Sequence, residues 1–163
     1  MNYIGIDPGL LGAIARILES GAVSTEFLPI MSNVKAAARG RKRTHLNAAE
    51  LANMLSDLNP TVHHVFVEYT QAGMKGALAN YSLGHSSGII MGVLSALGFS
   101  YELVRPQEWK KEFGLLTMRK DASRTMAQQL FPSVNLALKK DDGRAEALLI
   151  AEWGRRQRTR MIE

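Results

Sequence analysis

The sequence predicts an α/β domain with a mixed five-stranded sheet flanked by helices, and three observations carry that prediction. The first thirty residues read as three short apolar segments separated by tight turns. Two further apolar segments each follow a helical stretch, and the remainder of the chain reads as helices joined by a loop and a polar segment. A meander followed by β-α-β crossovers gives antiparallel pairing at the start and parallel pairing after it.

The elements follow in order. Asn2–Asp7 forms the first strand, Gly12–Leu18 the second and Ala22–Leu28 the third, with Ser20-Gly21 supplying the turn between the last two. Residues 31–46 read as a basic loop. Asn47-Ala48-Ala49-Glu50 has the form of a capping box, with Asn47 as N-cap and Glu50 reaching back to it. The helix it opens shows Leu51, Met54, Leu55 and Leu58 on one face and is stopped by Asn59-Pro60. Val62–Val67 is the fourth strand and runs directly into Glu68. A connection over 69–76 leads into a long helix from about Leu78 to Leu97, closed by Gly98 as a C-cap residue. Tyr101–Val104 is the fifth strand. A short helix over Pro106–Phe113, another over 121–130 broken by Phe131-Pro132, and a last helix over Asp142–Arg155 complete one domain of residues 1–155. Residues 156–163 form a basic tail.

Composition limits the function classes. The chain has 163 residues, 46% of them hydrophobic, which suits one domain with a full core. No apolar run approaches the ~18 residues of a membrane span. No charged-then-apolar leader precedes the first strand, and there is no cysteine, so a cytoplasmic setting is expected without disulfides or thiolate metal sites. A net charge of +5 favours a polyanionic partner. The charge gathers at Arg39, Arg41, Lys42 and Arg43, again over residues 105–124, and at Arg155, Arg156, Arg158 and Arg160. Such runs are commonly plain solvated surface, but together they suit phosphate contacts.

The acidic residues carry the chemistry. Ile4-Gly5-Ile6-Asp7-Pro8-Gly9 sets a carboxylate at the end of an apolar strand, just before a sharp turn. Val65-Phe66-Val67-Glu68 repeats that arrangement. If the two strands are parallel neighbours, both carboxylates emerge at one sheet edge, where open α/β sheets place their ligands. Asp142 and Glu146, four apart, share a helix face that turns apolar at Leu149, Ile150 and Trp153. Asp141 and Asp142 also suit the positive end of the helix dipole, an account that leaves Glu146 unexplained. Carboxylates converging from two strands and a helix repel one another unless a hard divalent cation, Mg²⁺ or Mn²⁺, lies between them. Two such ions support phosphodiester hydrolysis.

These three motifs, in this order, resemble the RuvC family of Holliday-junction resolvases within the RNase H-like superfamily, and phage-type members in particular. The resemblance covers almost the whole chain apart from 156–163. It implies an RNase H-like fold, a homodimer, Mg²⁺ dependence with Mn²⁺ as substitute, and paired nicks in four-way DNA junctions. It further implies that Asp7, Glu68, Asp142 and Glu146 are catalytic metal ligands. The pattern departs from that of bacterial members, which typically end in two acidic residues, or a His and an Asp, three apart. Here the spacing is four from Asp142 and Glu146 replaces the usual last Asp, so Asp141 remains an alternative to Asp142. Those members also carry an aromatic residue shortly after the strand-end Glu. Here Tyr69 follows at once, and Tyr69 or Tyr81 is the candidate for stacking on a base.

Other candidate DNA contacts are Arg41, Lys42, Arg43, Lys110, Lys111, Arg119 and Lys120. Gly84, Gly88 and Gly92 recur every fourth residue along the long helix. Such a stripe marks close approach of another backbone, either the domain's own sheet or the twin helix of a dimer. His45, His63, His64 and His85 show no metal-ligand spacing, and His63 and His64 read as surface or edge residues. The sequence therefore predicts a metal-dependent, structure-selective endonuclease acting on branched DNA. A non-catalytic branched-DNA-binding protein is the alternative.

Overall fold

The computed structural model describes residues 1–33, 43–69, 76–119 and 121–161. Strands β1 (Asn2–Ile6), β2 (Ala13–Ile17) and β3 (Val23–Phe27) form the antiparallel meander. A separate ribbon follows, made of β4 (Ile30–Asn33) and β5 (Arg43–Leu46). After helix α1 (Ala48–Ser56) come β6 (His63–Glu68), α2 (Ala77–Ala96), β7 (Tyr101–Val104), α3 (Pro106–Glu112), α4 (Ala122–Leu130) and α5 (Asp142–Arg160). The main sheet has the order β3-β2-β1-β6-β7, with β1–β6 and β6–β7 parallel. The predicted mixed five-stranded sheet is present.

Alternation along the central strands divides the core in two. Ile4, Ile6, Val65 and Val67 point to one face, where Leu51 and Leu55 of α1 and Ile90 and Leu94 of α2 meet them. Phe66 points to the other, into a cluster with Trp109 of α3, Ala127 of α4 and Leu148–Ile150 of α5. Gly5 lies on this second face, and a Cβ there would overlap the Ala147 carbonyl oxygen and the Ala151 backbone. Its bareness lets α5 lie directly on β1.

The structure corrects several expectations. Residues 31–46, read as a loop, begin and end as strands: β4 pairs antiparallel with β5, Met31 opposite His45. Leu28 and Leu46 are buried and tie this ribbon to the core, a signal masked in the sequence by the charged run between them. The last helix does not end near Arg155 but continues through Arg160, so residues 156–160 are helix rather than tail. Ion pairs of Arg156 and Arg160 with Glu112, and of Arg158 with Glu102, hold that extension against α3 and β7. His63, expected at the surface, is buried; its Nδ1 lies 2.7 Å from the Asn59 carbonyl oxygen and its Nε2 3.2 Å from Asn2 Nδ2.

Asn47 caps α1 as predicted, with Glu50 N–H donating to Asn47 Oδ1 at 3.2 Å, but the reciprocal half of the box is absent. Asn47 N–H donates to the Pro29 carbonyl at 2.8 Å, and Glu50 Oε2 accepts from Asn47 Nδ2 instead, at 3.2 Å. Gly98 adopts the left-handed conformation at φ 78° after α2. The stripe of Gly84, Gly88 and Gly92 does not approach the domain's own sheet. A Cβ at each would meet nothing within 4 Å, so the stripe faces outward.

Candidate active site

Parallel pairing of β1 with β6 sets Ile6 beside Val67, so Asp7 and Glu68 leave the sheet at the same edge. The turn after β1 wraps around the first carboxylate. Gly9 N–H donates to Asp7 Oδ1 at 3.2 Å, Gly12 N–H donates to the Gly9 carbonyl at 2.8 Å, and Asp7 N–H donates to the Ala13 carbonyl at 3.0 Å. A Cβ on Gly12 would overlap the Asp7 carbonyl oxygen. The start of α5 abuts this turn at Gly143, where only glycine leaves room for the Leu11 carbonyl and Asp7. One turn further along α5, Glu146 faces the same cleft.

The cleft has a volume of about 310 Å³. Asp7, Gly9, Glu68, Lys110, Ser123 and Glu146 line it, with Leu83, Leu115, Met118 and Arg119. Glu68 is held from below by Trp109, whose indole N–H donates to Glu68 Oε2 at 2.9 Å. Lys110 reaches across: its Nζ lies 4.0 Å from Glu146 Oε1 and 5.0 Å from the centre of the Trp109 ring. Burial, with the charges of Asp7 and Glu146 behind it, pushes the Glu68 carboxyl up to about 7, against the opposing effects of the Trp109 hydrogen bond and Lys110. The electrostatics are those of a carboxylate group short of positive charge.

The two acidic residues at the head of α5 are engaged elsewhere. Arg124 Nε lies 2.6 Å from Asp142 Oδ1. Asp141 is buried, accepts from Leu138 N–H at 3.0 Å and from Arg144 Nη1 at 3.0 Å, and is held below the usual carboxylate range by these bonds despite its desolvation. Of the four expected ligands, the structure brings Asp7, Glu68 and Glu146 to the cleft and sets Asp142 against Arg124. Among the described residues no three acidic or histidine side chains already stand at metal-ligating spacing. The donor chemistry nonetheless suits a hard cation: three carboxylates, no sulfur, and a mutual repulsion visible in Glu68.

The basic residues divide clearly. Lys110 and Arg119 line the cleft, while Lys111 is exposed on α3 outside it. Tyr69 is half-exposed next to Glu68, and Tyr81 stacks on His85 with ring centres 5.7 Å apart. Arg43 is the first residue of β5; Arg41, Lys42 and Lys120 lie outside the described residues. The arginines at the end of α5 form no open patch, since Arg155 and Arg156 both bind the buried Glu152. Trp109 was not visible as a site residue from sequence, because a lone tryptophan in an apolar setting reads simply as core.

No family model matches the chain. Over 81 residues it is 41% identical to a Holliday junction resolvase, MOC1, chloroplastic, of Chlamydomonas reinhardtii; the match takes in 48% of this chain and 9% of that protein. The chain thus spans only a small part of the length of this relative. Among solved structures it superposes on Thermus thermophilus RuvC in complex with a Holliday junction substrate, with a TM-score of 0.61, 17% identity and 96% of each chain covered.

The fold is that of RuvC.

A second Thermus thermophilus RuvC structure gives a TM-score of 0.61 at 18% identity over 98% of both chains. The RuvC fold, with its RNase H-like sheet, is the one expected from the three acidic motifs. The likeness leaves almost none of the chain unmatched.

Proposed function

We propose that this chain is a divalent-metal-dependent endonuclease that resolves four-way DNA junctions, with activity on other branched DNA. The observation that carries the reading is the convergence of Asp7, Glu68 and Glu146, from two parallel strands and a helix, on a cleft bordered by Lys110. The sequence match to a named junction resolvase and the RuvC fold support it.

Asp7, Glu68 and Glu146 would hold Mg²⁺ or Mn²⁺, with Asp142 as the outlying member of the set. A bound cation supplies Lewis-acid charge at a phosphate and lowers the pKa of water. The chain's own residues do the rest. Lys110 meets the non-bridging oxygens of the phosphate, and its charge stays in place through contact with Glu146 and the Trp109 ring. Arg119, exposed at the rim and 3.6 Å from Asp121, can turn to a neighbouring phosphate. Tyr69, beside Glu68, offers a ring to an unpaired base at the branch point.

Paired nicks require two copies of the site. The exposed face of α2 is suited to join them, because the helix contains no acidic or basic residue other than His85 and shows Leu78, Tyr81 and the glycine stripe to the outside. No helix among the described residues is long and apolar enough to cross a membrane.

The test is nicking of a synthetic four-way junction with Mg²⁺ by wild-type protein and by Asp7→Asn. Metal-dependent cleavage lost in the variant is the expected result. Salt-sensitive junction binding without cleavage by either protein would favour the second reading, a non-catalytic junction binder. The ion pairing of Asp141 and Asp142 is the observation on that side.

A further inference from the structure

Trp109 is the largest fully buried side chain among the described residues, yet its one polar atom is directed at the cleft. Three features fix it there. Its ring packs in the cluster formed by α3, α4, α5 and the sheet. Its helix is tied down at the start, where Arg105 N–H donates to Glu108 Oε2 at 2.8 Å behind Pro106. Its outer side is covered by Lys110. A core residue chosen for volume alone needs no donor; a phenylalanine would fill much of the space. The indole N–H instead engages one oxygen of Glu68, a carboxylate at the end of β6 whose side chain would otherwise choose among rotamers in a cleft also holding Asp7 and Glu146.

We propose that Trp109 is a positioning residue for Glu68, its indole N–H holding Oε2 so that the carboxylate keeps one orientation in the cleft, where it would meet a cation. The inference rests on the metal-dependent nuclease reading. Outer partners of this kind orient a ligand and typically change metal affinity or activity by about 10–100-fold when removed. Trp153 supplies the internal control. It packs against the same core cluster, edge-on to Phe66 at 5.9 Å, and donates no hydrogen bond to Glu68. Both tryptophans support the core, but only Trp109 presents a donor to the site.

The experiment is Mn²⁺ binding to DNA-free protein, followed by calorimetry, together with the Mn²⁺ concentration giving half-maximal junction nicking. The proteins compared are wild type, Trp109→Phe and Trp153→Phe, with thermal unfolding recorded for each. The expected result is a Kd for Mn²⁺ raised roughly 10–100-fold in Trp109→Phe and within about twofold of wild type in Trp153→Phe. If Trp109→Phe does not fold, site-specific replacement of Trp109 by benzothienylalanine, which keeps the bicyclic shape and puts sulfur where the N–H was, gives the same comparison. Wild-type affinity in a folded variant lacking the N–H overturns the positioning role alone. Wild-type protein that binds no Mn²⁺ overturns the metal reading as well.

Discussion

Gly143 and Asp7 are in contact across the junction between α5 and the first turn: a Cβ at position 143 would come within 3.0 Å of Asp7 Oδ2 and would overlap the Leu11 carbonyl oxygen. The helix that carries Glu146 is therefore seated on the turn that carries Asp7, with no side chain between them. Gly143→Ala is expected to lift the head of α5, at about 1–3 kcal/mol of stability for the overpacking. Because misplacement by about 1 Å can cost about 10²-fold in rate, nicking should fall by that order while the sheet remains folded. Junction-nicking rates alongside thermal melts check this.

The four acidic candidates should not behave alike. Asp7→Asn, Glu68→Gln and Glu146→Gln are expected to reduce metal-dependent nicking by on the order of 10²–10³-fold or more, since each removes charge from the cleft. Asp142→Asn, whose carboxylate lies against Arg124, is expected to cost less than about tenfold in rate and about 1 kcal/mol in stability. Equal losses from all four substitutions, at equal junction affinity, would place Asp142 fully in the ligand set.

Glu68 links the site to pH. Its carboxyl stands at about 7 in the folded metal-free protein, against 4.5 for an unperturbed glutamate such as the unfolded chain presents. The folded state therefore binds more protons between these values. The contribution of Glu68 to stability, complete below about 4.5, is lost as pH rises to about 7. A cation that binds the carboxylate reverses the preference and releases a proton. Titrating Mg²⁺ near pH ~6.5 in buffers of different ionisation enthalpy should reveal proton release, which Glu68→Gln should abolish.

At the far end of the molecule Glu152 is buried with Arg155 and Arg156 as partners at 2.7 and 2.8 Å. Removing both arginines leaves a buried carboxylate unpaired, so Arg155→Ala with Arg156→Ala should cost about 3–5 kcal/mol. Arg158→Ala, at a half-exposed contact with Glu102, should cost less than about 1 kcal/mol. Urea midpoints separate the two cases.

Much of the fold was legible because local signals agreed with one another. Asn47 with Glu50 marked the start of α1, Gly98 the end of α2, and the apolar run around Ile4 and Ile6 a strand. The strand-end positions of Asp7 and Glu68 were readable for the same reason, since a carboxylate after an apolar run has few other places to go. What the sequence hid depends on distant partners. Nothing near Asp142 announces Arg124 on the preceding helix, and nothing near Trp109 announces Glu68 on another strand. The β4–β5 ribbon was obscured by its own charges, because its burial rests on Leu28 and Leu46 at the edges of a polar stretch. The reach of α5 past Arg155 depends on Glu102 and Glu112, which only the folded chain brings near.

The ion pairs along the end of α5 alter what the net charge of +5 means to DNA. Arg155, Arg156, Arg158 and Arg160 share three glutamates of the same molecule, Glu152, Glu112 and Glu102, so most of their charge is already balanced internally. If the chain binds junctions as proposed, the salt dependence of that binding, which scales with the number of phosphates neutralised, is expected to be shallower than the sequence charge suggests, and Arg158→Ala is expected to leave its slope nearly unchanged.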